Sequence, residues 1–129
     1  MTIRHTVALA LLGWYLIMPP ALDPRTQESG VFVDLSAPLS EWDRAATFRS
    51  KAACEVARHD RLCSVIKDAD ENAREARAIA DESVELNRHR PFDSEKADDL
   101  LFRVLVAMLR EQVEQREIAS QCVASDGQR

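Results

Sequence analysis

Hydrophobic and polar positions divide the chain into an apolar N-terminal run, an irregular segment and two long amphipathic stretches. The run from Val7 to Met18 carries no charge, follows Arg4 and ends at the pair Pro19-Pro20. A short basic region followed by seven to fifteen apolar residues is typical of a secretory signal. As a helix this run would be about 18 Å long, well short of the roughly 30 Å hydrocarbon core of a bilayer.

The N-terminal pattern leaves two outcomes open for residues 1–21. Cleavage near Ala21 would release the protein, although the prolines before Ala21 replace the usual small-x-small pattern. Without cleavage, residues 6–22 would anchor the chain in the inner membrane. Because Arg4 is expected to stay in the cytoplasm, both outcomes place the rest outside it. We therefore predict a periplasmic or secreted protein, or one anchored to the inner membrane by residues 6–22.

Residues 22–41 have the composition of a linker. Prolines, serines and Gly30 interrupt one short apolar stretch between Val31 and Leu35. Residues 42–48 then alternate so that Trp42 and Phe48 share one face, which favours a short half-buried strand with Trp42 in the core.

Two helices are predicted for the remainder. From Lys51 to about Asn87 there is no proline or glycine, and apolar residues recur every three or four positions, so this stretch forms one long helix or two with a bend, capped by Ser50. Pro91 breaks the pattern. Asp93 or Ser94 then caps a second helix that runs to about Ser120.

The second helix carries the broadest apolar face, so we expect it to be the centre of the core. Its apolar positions are Ala97, Leu100, Leu101, Val104, Leu105, Met108, Leu109 and Val113. The predicted fold is mainly α, an antiparallel two-helix hairpin within a domain of residues 42–129. Because a lone hairpin buries little area, a third layer is needed. It is either a short two-stranded β element, formed by the Trp42 strand and the tail after Cys122, or a second copy of the chain.

Three cysteines in an exported protein are expected to form one disulfide and leave one thiol over. Cys54 and Cys63 are nine residues apart on one predicted helix, about 13 Å along it, which is too far for a bond. Cys122 must therefore be one partner. Cys54 lies at the same end of an antiparallel hairpin as Cys122, so we predict a Cys54–Cys122 disulfide.

Several short runs resemble a group of small exported bacterial proteins of uncharacterised function. They are Pro38-Leu39-Ser40-Glu41-Trp42, Phe48-Arg49-Ser50, Ala52-Ala53-Cys54-Glu55 and Gln121-Cys122-Val123-Ala124-Ser125-Asp126. The chain departs from the group at Gly127 and Gln128, where an acid and a proline often follow, and Cys63 is an extra cysteine. The resemblance implies a signal sequence, a tryptophan strand and the outer disulfide, and it implies no activity.

Composition removes several classes of function. Lys and Arg number 17 against 22 Asp and Glu, a net charge of −5, which gives no general attraction to nucleic acid or anionic lipid. Only three glycines occur, which excludes glycine-rich phosphate loops and the nucleophile elbow.

Candidate chemistry is sparse. His59 and Cys63 are four residues apart and form half of a conceivable zinc site, with Cys122 and His89 as remote ligands, but no second ligand pair reinforces it. The carboxylates of Asp81, Glu82 and Glu85 lie on a helix face without an apolar pocket, which is typical of solvated groups.

We therefore predict an exported protein without catalysis, cofactor or metal, with a structural or protein-interaction role in the cell envelope. Its partner would be an envelope protein or a second copy, and it would meet the membrane only through an uncleaved N-terminal segment. The alternative is a small periplasmic module that binds a metal or ligand through His59, Cys63 and the helix interface.

Overall fold

The computed structural model describes residues 13–88 and 91–125, which form a small sheet and a long helical hairpin. The strands are β1 (Trp14–Met18), β2 (Asp43–Phe48) and β3 (Gln121–Ala124), and the helices are α1 (Lys51–Arg88) and α2 (Ser94–Ile118). Short 3₁₀ turns at Pro24–Thr26 and Leu39–Glu41 interrupt the segment between β1 and β2. Helices dominate, as the sequence predicts.

β1 is the central strand of a three-stranded antiparallel sheet of order β2-β1-β3. Trp14 lies opposite Phe48 on one side and Ala124 on the other, and the pairing with β2 shifts register between Leu16 and Ile17. Leu16 and Ile17 are both fully buried. Because successive strand residues point to opposite faces, both faces of the sheet are covered here. The first helix, α1, packs against all three strands.

The position of β1 differs from the N-terminal prediction. Five residues of the expected export segment, Trp14 to Met18, form a strand inside the fold. The folded part of the chain therefore includes residues well before Trp42, where the domain was predicted to begin. The remainder of the apolar run lies outside the described residues. The expected two-stranded element also differs, because β1 separates β2 from β3.

Both predicted helices are present, and their starts follow the predicted caps. The Ser50 hydroxyl accepts a hydrogen bond from the Ala53 amide at 3.1 Å, and the Asp93 carboxylate accepts one from the Lys96 amide at 3.1 Å. The first helix has no break over its 38 residues. Arg103 of α2 bridges to Glu75 of α1 at 3.0 Å, and Arg61 of α1 bridges to Glu117 of α2 at 3.4 Å.

Most of the buried apolar residues lie around the sheet, while Phe32 and Ile79 lie between the helices. The buried apolar residues are Leu16, Ile17, Phe32, Val33, Trp42, Cys54 and Ile79. Trp42 is therefore in the core as predicted, and its indole donates a hydrogen bond to the Ala37 carbonyl at 3.0 Å. By contrast, α2 has no buried residue over its whole described length. The expectation that α2 is the centre of the core is wrong.

Candidate interaction surface

The disulfide joins the beginning of α1 to β3. Cys54 and Cys122 are bonded as predicted, with their Cα atoms 6.0 Å apart and a sequence separation of 68. Cys54 is fully buried, and Cys122 lies opposite Leu16 of the central strand. The bond therefore fixes the sheet to the end of the hairpin where α1 begins and α2 ends.

The segment from Pro19 to Asp34 covers one face of α2. Side chains of α2 hold it by hydrogen bonds to the backbone of the segment. The Gln115 side chain accepts from the Phe32 amide at 2.7 Å and donates to the Gly30 carbonyl at 2.7 Å. Gln112 donates to the Phe32 carbonyl at 2.9 Å, and Arg116 donates to the Pro19 carbonyl at 3.0 Å. We call Pro19 to Asp34 the strap.

Sequence reasoning missed these anchoring side chains. In the sequence, Gln112, Gln115 and Arg116 are ordinary polar positions of an amphipathic helix. Their closeness along the helix is a weak signal, because polar residues on the solvent-facing side of an amphipathic helix also recur within a turn. It does not reveal the strap, because the target carbonyls are set by tertiary structure.

A second face of α2 meets α1 through polar pairs. Besides the Arg103–Glu75 bridge, the Asn72 side chain donates to Glu114, and Arg103 also contacts Glu82. The hydrogen bonds that Arg103 donates to Glu75 and to Glu82 raise the pKa of Arg103 above its usual range, so this cation stays charged.

A third face of α2 is apolar and uncovered. Phe102 is 67% exposed, Leu109 54% and Val113 57%, with Val106 partly buried between them. Their spacing of four, three and four residues places all four side chains on one stripe of the helix. We call these residues the apolar row.

A shallow groove runs beside the apolar row, between α1 and α2. Val65 of α1 continues the apolar surface across the groove. Its charged lining consists of Asp68 and Glu71 from α1 and Arg110 and Glu114 from α2. Three carboxylates against one guanidinium make this rim acidic.

Of the predicted metal candidates in the described residues, only His59 and Cys63 lie close together. The Cys63 sulfur lies 3.8 Å from either ring nitrogen of His59, and both residues are exposed. Cys122 is taken by the disulfide, and His89 lies outside the described residues. Within residues 13–88 and 91–125 no three His, Cys, Asp or Glu side chains are placed to hold one ion.

The three candidate carboxylates of α1 are all exposed. Glu82 and Glu85 line a partly open pocket with Leu86 and Leu100, Asp81 does not, and Glu82 contacts Arg103.

None of the helices in the described part of the chain is long and apolar enough to cross a membrane. Comparison with protein-family models, with curated proteins and with solved structures finds no match to this chain.

Proposed function

We propose that this is an exported, disulfide-stapled protein of the cell envelope with a structural or protein-interaction role and no catalytic activity. The observation that carries the proposal is the apolar row, since three large apolar side chains of one helix stripe are each more than half exposed. A contiguous exposed apolar stripe with a polar rim marks a protein interaction site. The Cys54–Cys122 disulfide is compatible with an oxidising compartment.

The hairpin itself leaves the row free for a partner. One face of α2 is used by α1 and another by the strap, so the apolar row has no remaining use within the described fold. Phe102 is the anchor that we expect to enter a pocket, because aromatic side chains dominate binding energy at interfaces.

The acidic rim indicates the chemistry of the partner. Asp68, Glu71 and Glu114 border the row, with Arg110 as the one basic residue lining this groove. Electrostatic complementarity then favours a partner with an apolar strip bordered by lysine or arginine. A second copy would bring a rim of the same sign, so we propose an envelope protein of opposite charge as the partner.

Site-specific photo-crosslinking in intact cells tests this proposal. A photoreactive amino acid is placed at Leu109 in the row and, as a control, at Val56, which is 62% exposed on α1. We expect one discrete adduct from position 109 and none from position 56. The yield should fall when salt screens the rim.

Three results would contradict the proposal. Equal adducts from both positions would mean nonspecific contact, and no adduct from position 109 would mean that the row is unoccupied. An adduct of twice the chain's own mass would replace the envelope partner with a second copy.

A further inference from the structure

The predicted export segment and the central strand overlap. We infer that any proteolytic cut in the N-terminal segment lies before Trp14, and that a chain cut at Ala21 does not reach this fold. The inference concerns processing and does not depend on the interaction role proposed above.

The sheet shows what a cut at Ala21 would remove. Both β2 and β3 pair with β1, and among the described residues neither has another strand beside it. Neighbouring strands lie about 4.8 Å apart, so without β1 the other two are about twice that distance from each other. They would lose their backbone partners on that side and could not pair without moving.

The core would lose the side chains around which it is built. Leu16, Ile17 and Pro19 are fully buried. All three precede Ala21, so a cut there removes them. Loss of fully buried side chains leaves a cavity and destabilises the fold.

Backbone hydrogen bonds at both ends of residues 13–20 also tie this segment into the fold. The Ser125 amide donates to the Gly13 carbonyl at 2.9 Å, and the Asp34 amide donates to the Pro20 carbonyl at 2.9 Å. Arg116 holds the Pro19 carbonyl. Residues 13–20 are therefore hydrogen-bonded to Ser125 just after β3, to the far end of the strap at Asp34 and to α2.

The same geometry bears on anchoring. Residues 14–18 cannot lie in a bilayer as part of a 6–22 helix while they form the middle of this sheet. The folded domain therefore keeps these residues outside the membrane, whatever happens to the residues before them.

The first test uses the full chain with a C-terminal tag, exported from its own N-terminus. The fraction that carries the Cys54–Cys122 bond is isolated, and its intact mass and N-terminal sequence are measured. We expect every disulfide-bonded molecule to retain Trp14 and the residues through Pro20. A disulfide-bonded, cooperatively melting product that begins at Ala21 or Leu22 would overturn the inference.

The second test does not require export. The full chain is made reduced in the cytoplasm, purified and refolded in a thiol redox buffer, and the yield of the Cys54–Cys122 bond is measured. Ile17→Asp should lower this yield roughly tenfold or more, because it places an unpaired carboxylate in the core. The matched control Val31→Asp, at a position 43% exposed, should refold like the unaltered chain. Equal yields for the two variants would contradict a core role for the strand.

Discussion

Cys54 and Cys122 are the residues whose loss we expect to cost the most stability. In the chain-entropy model, a bond that closes a loop of 68 residues contributes about 4 kcal/mol. Cys122→Ser should therefore lower the free energy of unfolding by about 2–5 kcal/mol in denaturant titration. Cys63→Ser is the control, since this thiol is free and exposed, and it should change stability little. Equal effects of the two substitutions would contradict the assigned pairing.

Gln115 is the residue whose side chain holds the strap by two hydrogen bonds. Gln115→Ala leaves the Phe32 amide without its partner, so we expect a loss of about 1–3 kcal/mol in unfolding free energy. Faster proteolysis within the strap should accompany it. Gln27→Ala is the matched control, because that amide bonds only to the neighbouring Thr26 hydroxyl among the contacts described. Unchanged proteolysis of the Gln115 variant would show that the strap is held by other contacts.

The disulfide cysteines and the glutamines that hold the strap differ in how far the sequence predicts their contacts. The disulfide could be predicted because helix geometry excludes Cys54–Cys63 and leaves Cys122 at the right end of the hairpin. Contacts of Gln112 and Gln115 could not be predicted, because a side-chain amide accepts many partners and the strap is placed by the tertiary fold.

Among the elements, β1 shows where periodicity stops being informative. A short unbroken apolar run is consistent with a fully buried strand and equally with a buried helix or a signal segment. Here the run is bounded by Gly13 and Pro19, and Trp14 to Met18 are mostly residue types that favour strands. Burial on both faces removes the alternation that would have identified the strand. By contrast, α1 and α2 could be predicted because caps and breakers mark their ends.

The apolar face of α2 was expected to be core and lies largely at the surface. This difference is testable by truncating one apolar residue of each helix. Ile79→Ala of α1, at a position 8% exposed, should cost about 2–4 kcal/mol of unfolding free energy. Leu109→Ala should cost no more than about 0.5 kcal/mol in the isolated chain, since surface substitutions change stability little. A cost at Leu109 equal to that at Ile79 would mean that the row is buried in solution.

At the scale of the whole molecule, the domain has a packed end and a projecting end. The sheet, the disulfide and most buried residues lie where α1 begins and α2 ends. With about 1.5 Å of rise per residue, α1 extends about 57 Å from that end. The hairpin therefore projects as an arm from the stapled sheet, and it carries the apolar row about 8–24 Å from the end of α2 that lies beside the sheet.

The proposed interaction surface and the proposed limit on N-terminal cleavage both depend on β1. The residues that hold the arm's base include Trp14 to Met18, so the arm is presented correctly only when β1 is in place. The account as a whole rests on that strand.

Amide hydrogen exchange of the oxidised full chain, followed by mass spectrometry, tests this most directly. Peptides covering residues 14–18 should exchange among the slowest in the protein, because opening the central strand requires disrupting the sheet. Peptides covering the exposed turn at residues 24–30 should exchange far faster and serve as the internal reference. If residues 14–18 exchange as fast as that turn, the central strand does not exist in solution and the account is contradicted.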